Sequence, residues 1–138
     1  MLTVNQLMTR DLVTLRDEDT LDDAEWMLER KHIRHLPVVR GKKLVGLITY
    51  RDLLGQFARR SAHSVLAKDA MATEVTTVRP DASLLEAIRL MLANRFGCLP
   101  VTTTDGTLVG IVTEADLLRV AAERVEEIDR RELAADYE

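Results

Sequence analysis

The chain has 138 residues, enough for one domain-sized body, with 46% hydrophobic and 30% charged residues, as in ordinary globular proteins. Its net charge of −4 argues against a nucleic-acid backbone as partner, and 4% aromatic residues argue against a base-stacking platform. A single cysteine, Cys98, excludes an internal disulfide and a cysteine zinc cluster; no apolar run reaches the length of a membrane helix and no signal-peptide core opens the chain, so a reducing cytoplasm is expected.

In chain order, residues 4–8 read as a short helical turn and Val13-Thr14-Leu15 as a strand. Thr20-Leu21-Asp22-Asp23 has the form of a capping box, and Leu21, Ala24, Met27 and Leu28 follow at helical spacing, predicting a helix to about Lys31. Residues 36–40 and 44–50 form a hairpin about Gly41-Lys42, and a helix is expected over 51–59. Residues 60–67 read as a polar linker. The plan then recurs: strand Thr76-Thr77-Val78, capping box Ser83-Leu84-Leu85-Glu86, a helix striped by Leu84, Ala87, Ile88 and Met91, hairpin strands 98–102 and 108–114 turned at Asp105-Gly106, and a last helix from Ala115. Residues 123–138 alternate acidic and basic side chains, expected as a solvated helix with a fraying end.

The recurrence is in the residues themselves. Leu36-Pro37-Val38 returns as Leu99-Pro100-Val101, an offset of 63 (99 less 36), and the segment 44–54 returns as 108–118, an offset of 64 (108 less 44). Two copies of about 60 residues, each marginal alone, must share an interface. The copies are strand, helix, strand, strand, helix, an α/β (α+β) fold.

The sharpest chemistry sits in Gly46-Leu47-Ile48-Thr49-Tyr50-Arg51-Asp52 and its echo Gly110-Ile111-Val112-Thr113-Glu114-Ala115-Asp116. Thr-x-x-Asp is a helix-capping pattern. It is also an anion-friendly strand-to-helix junction: hydroxyl and free amides suit phosphate, and a carboxylate, an acceptor only, suits the two hydroxyls of a ribose. One threonine can do both.

The Met8-Thr9, Val13 and Thr14 lead-in, the Leu-Pro-Val triplets and the doubled Gly-h-h-Thr-x-x-Asp-Leu elements (h apolar) together resemble the cystathionine β-synthase (CBS) domain family, as the tandem pair called a Bateman module, over residues 2–57 and 65–122. The resemblance implies two βαββα repeats packed as a pseudo-two-fold pair, with clefts for adenosine-containing ligands. It implies ribose contacts at Asp52 and Asp116, phosphate-side contacts at Thr49, Thr113 and Arg51, and adenine framed by Leu12, Val13 and Thr14 or by Val75, Thr76 and Thr77. A basic pair before Leu-Pro contacts phosphates in nucleotide-sensing members; Arg34-His35 matches it and Gly97-Cys98 does not. It further implies that Asp116 shares a cleft with Arg34 and His35, and Asp52 one with Gly97 and Cys98.

His32 and His35 lack a visible third metal ligand, Cys98 reads as a small buried residue, and Trp26 as an interface or partly exposed residue rather than a ligand stacker. No nucleophile–base pair or glycine-rich phosphate loop is present. The expected function is a non-catalytic regulatory module sensing AMP, ADP, ATP or S-adenosylmethionine as regulatory ligand rather than cofactor, acting through a homodimer or an unidentified protein partner, without a membrane. A ligand-free dimerisation scaffold, its clefts filled by side chains, is the alternative.

Overall fold

The computed structural model describes residues 1–58 and 64–136. Its elements are α1 (Val4–Leu7), β1 (Leu15–Arg16), α2 (Leu21–Lys31), β2 (His35–Arg40), β3 (Lys43–Thr49), α3 (Tyr50–Phe57), α4 (Ala67–Ala70), α5 (Leu84–Asn94), β4 (Cys98–Thr102), β5 (Leu108–Thr113) and α6 (Glu114–Ala135). β1, β2 and β3 form a sheet in that order, β1 parallel and β3 antiparallel to β2. β4 and β5 form the matching hairpin, and the strand expected at 76–78 contributes one parallel bridge, Val78 to Val101.

Local chemistry sets these elements. Thr20 caps α2, its hydroxyl accepting from the Asp23 amide, while Asp23 accepts from the Thr20 amide at 3.0 Å. Ser83 caps α5 by accepting from the Glu86 amide; the reciprocal half expected from Glu86 is not formed. Both helices end on a left-handed residue that is not glycine, His32 (φ 53°) and Arg95 (φ 56°).

The two halves interlock by exchanging their lead-in segments. α1 belongs to the first copy in sequence but is held by the second: Val4 N donates to Ala82 O at 2.9 Å, and Thr9 and Ile111 exchange both backbone bonds at 2.8 and 3.0 Å. Val4 and Met8 are buried with Ala87, Met91, Leu99, Val101 and Val112. Reciprocally, Ala72 and Leu47 exchange bonds at 2.9 and 3.0 Å, and Ala67 and Met71 pack on the core of Leu15, Leu21, Leu36, Ile48 and Leu53. The glycine opening each Gly-h-h-Thr element is the seat for this exchange. A Cβ at Gly46 would collide with the Met71 thioether, and one at Gly110 with that of Met8. The hairpin tips also join across the copies, Leu44 N to Gly106 O and Leu108 N to Lys42 O, with a Lys43–Asp105 ion pair at 3.0 Å.

Several boundaries differ from expectation. β1 begins at Leu15, so Val13 and Thr14 precede it; Tyr50 and Glu114 are first helical residues because the threonine before each is the N-cap. Of the linker at 60–67 and the helix end at 59, residues 59–63 lie outside the described residues, as do 137 and 138 of the tail. Ala67, read as linker, is fully buried and opens α4, which periodicity over four residues could not reveal. The helix expected at 123–138 continues α6, which runs 22 residues unbroken to Ala135, about 33 Å. From Ala121 to Ala135 all of its residues except Glu127 are exposed.

Candidate functional site

Both Thr-x-x-Asp elements fold as reciprocal capping boxes. The Asp52 amide donates to Thr49 Oγ1 at 3.1 Å and the Asp116 amide to Thr113 Oγ1 at 3.4 Å. Beyond the cap they diverge. Asp52 is exposed, and among the described residues its carboxylate accepts one long bond, from Thr49 N at 3.4 Å. Asp116 is 2% exposed. Its Oδ2 accepts from Thr113 N at 2.9 Å and Thr113 Oγ1 at 3.1 Å; its Oδ1 accepts from Thr9 Oγ1 at 2.8 Å and from the Arg119 guanidinium. Thr9 arrives on the exchanged lead-in segment, so the carboxylate ties that segment to the start of α6.

Asp116 stands at a cavity of about 510 Å³, within the range of small-molecule sites. One wall is Thr9, Asp11, Leu12 and Val13; a second is the turn from α2 into β2, with Ile33, Arg34 and His35; a third is the start of α6, with Thr113, Glu114, Ala115, Asp116, Leu118 and Arg119. Of the residues singled out by sequence, Leu12, Val13, Arg34, His35, Thr113 and Asp116 therefore share one space. Thr14 is not on its wall, because the chain has turned toward β1. Thr49, Arg51, Asp52, Val75, Thr76 and Thr77 do not line it either. Thr49, Arg51 and Asp52 stand at the start of α3, the equivalent junction of the other copy.

Gly97 completes the wall and explains its own departure from the basic pair. A Cβ there would lie 2.6 Å from His35 Nε2, so the second copy gives up bulk where the first inserts its imidazole. Burial holds the His35 pKa below its ordinary value; the Glu114 carboxylate opposes this and the Arg34 charge adds to it. His35 is therefore neutral at pH 7, leaving Arg34 as the standing positive charge beside it. Burial, reinforced by Glu114, pushes the Cys98 thiol up to about 12, so it stays protonated.

Thr9 as a side-chain partner, and Asp11, Glu114 and Arg119 as wall residues, are additions to the expected site. Arg119 carried a signal, since it lies three residues beyond Asp116 on a helix. Thr9 carried none, because its contact spans 107 positions. Among the described residues no group of three or more His, Cys, Asp or Glu is placed to hold a metal ion, and no helix is long and apolar enough to cross a membrane.

A family model described as the CBS domain matches residues 4–59 and 67–123. The chain is 37% identical over 108 residues to an inosine-5'-monophosphate dehydrogenase of Korarchaeum cryptofilum, covering 78% of this chain and 22% of that enzyme. It is 32% identical over 121 residues to a homoserine O-acetyltransferase of Methanohalobium evestigatum, covering 87% and 24%. The chain thus spans about a quarter or less of those enzymes. Among solved structures, AcuB of Vibrio cholerae superposes with a TM-score of 0.86 at 38% identity, covering 94% of this chain and 97% of that one. CBSX2 of Arabidopsis thaliana, solved in complex with AMP, gives 0.82 at 30%, covering 89% and 98%. The CBS domain pair of MJ0100, in complex with 5'-methylthioadenosine and S-adenosylmethionine, gives 0.81 at 25%, covering 90% and 98%.

Proposed function

The chain belongs to the CBS-domain family as a tandem pair, and from that premise we propose that it is a regulatory module that binds an adenosine-containing ligand in the Asp116 cavity. The observation that carries this reading is the convergence of a buried ribose-type acceptor, a capped helix start, an apolar wall at Leu12 and Val13, and the Arg34 cation on one open space of nucleotide size. The AMP and S-adenosylmethionine complexes of similar CBS pairs support the ligand class.

In this reading the adenine ring lies against Leu12 and Val13, and Asp116 accepts from the ribose hydroxyls. Thr113 and the first amides of α6 face a phosphate or the equivalent tail. Arg34 supplies the neutralising charge, and His35 joins it when protonated. The ligand thus bridges residues from both copies and selects the arrangement in which they are aligned, a population shift rather than a reaction. The open cavity disfavours the filled-cleft scaffold. Thr49, Arg51 and Asp52 with Val75, Thr76 and Thr77 are the candidate for a second, weaker position.

The output runs through association in a cytoplasmic setting. Trp26, Leu54, Leu85, Leu92 and Leu118 are each more than half exposed on helix surfaces, and such apolar surface supports a homodimer. Calorimetric titration with adenosine, AMP, ADP, ATP and S-adenosylmethionine tests the proposal. Saturable heat with at least one, with the ligand recovered unchanged, is expected; absence of heat and of thermal stabilisation with all five would overturn it. Light scattering at the mass of a single 15.6 kDa chain would overturn the dimer.

A further inference from the structure

A carboxylate offers about four acceptor positions, and the Asp116 carboxylate already receives four donors: Thr113 N, Thr113 Oγ1, Thr9 Oγ1 and the Arg119 guanidinium. A ribose diol brings two more donors, and the first of its hydroxyls can bond only when at least one resident leaves. The Thr113 bonds hold the start of α6, and Thr9 is fixed by its paired backbone bonds to Ile111. Arg119 is the donor that can go, because its side chain is 67% exposed and its guanidinium can be hydrated outside the cavity.

The other copy has neither device. At the offsets of the repeat, Gly55 stands where Arg119 stands and Ala72 where Thr9 stands, and Asp52 is exposed. Arg119 is therefore no requirement of the Thr-x-x-Asp fold; it is an addition at the carboxylate that faces the cavity.

We propose that Arg119 is an internal latch on the adenosine site: its guanidinium occupies the ribose position on Asp116, and ligand binds only by displacing it. This rests on the reading of the Asp116 cavity as an adenosine site. The latch is an ion pair with one exposed member, so it is weakened by salt. It sets the affinity below what the same cavity would give without it. The site is then tuned to respond at higher ligand concentration, and Arg119 is a positioning residue rather than a ligand contact.

Adenosine is the clean probe, because it carries no phosphate that Arg119 could contact. The wild-type chain and R119A are titrated with adenosine at about 50 and 500 mM salt. R119A is expected to fold, since the side chain is exposed and alanine favours the helix. R119A should bind adenosine about three- to tenfold more tightly at low salt. Added salt should tighten binding to wild type and leave R119A nearly unchanged. Equal or weaker binding to R119A, or a salt response shared by both, overturns the latch while leaving the site intact. No binding of adenosine, AMP, ATP or S-adenosylmethionine to either protein overturns the adenosine reading itself.

Discussion

Replacing the two matched aspartates by alanine should have unequal costs. Asp116→Ala removes a capping interaction, about 1 kcal/mol. It also removes the charge-assisted bond from Thr9 at 2.8 Å, about 1.5–3 kcal/mol, and leaves that hydroxyl short of a partner in a part-buried site. The Arg119 pair adds little, since the guanidinium is mostly in water. The expected loss is about 2.5–4 kcal/mol, below the 5–15 kcal/mol that a domain usually has, so the variant stays folded. Asp52→Ala removes one exposed bond at 3.4 Å and should cost about 0.5–1 kcal/mol. The two costs differ by about 1.5–3.5 kcal/mol, so with a urea slope of about 1–3 kcal/mol per molar the midpoints should differ by about 0.5–3.5 M. Paired urea titrations followed by circular dichroism make the comparison. In calorimetry Asp116→Ala should also weaken adenosine binding more than Asp52→Ala does. Equal midpoint shifts, or a larger shift for Asp52→Ala, would refute the idea that burial and the Thr9 tie distinguish the two carboxylates.

Arg95 closes α5 in a left-handed conformation at φ 56°; Arg95→Gly should stabilise by about 1 kcal/mol, seen as a melting point higher by a few degrees. His35 is held below its ordinary pKa of 6.5, so the unfolded chain takes up its proton first as pH falls. Its contribution is complete above about pH 6.5 and is lost as pH drops through the lower folded value; His35→Asn should flatten that limb in melts between pH 5 and 7.5. If the imidazolium meets a phosphate, AMP should bind more tightly as pH falls through the histidine pKa in the complex, whereas adenosine should not. Cys98, with its thiol at about 12, should resist a thiol reagent at pH 8 in the native chain and react fully in urea.

The sequence carried what is local or periodic. The Thr20–Asp23 and Thr113–Asp116 boxes, the stripe of Leu21, Ala24 and Leu28, and the hairpins about Gly41 and Gly106 each announce themselves within a few residues. Partnership over distance was not legible. Nothing within residues 4–8 says that Val4 and Met8 bury themselves in the second copy, although Gly46 and Gly110, small residues inside otherwise bulky strands, mark the seats that Met71 and Met8 fill. The doubled motif also hid an asymmetry. Aligned on Thr-x-x-Asp the copies look equivalent, and only the partners at Thr9 and Arg119 against Ala72 and Gly55 separate a buried, fully bonded carboxylate from an exposed one.

The most direct test of ligand placement is an amide chemical-shift map of the isotopically labelled chain titrated with AMP. Shifts concentrated at Leu12, Val13, Arg34, His35, Thr113 and Asp116, the residues that share the cavity, are the expected result. Shifts confined to Thr49, Arg51, Asp52 and Val75, Thr76, Thr77, or no shifts at saturating AMP, would contradict the placement of the nucleotide in the Asp116 cavity.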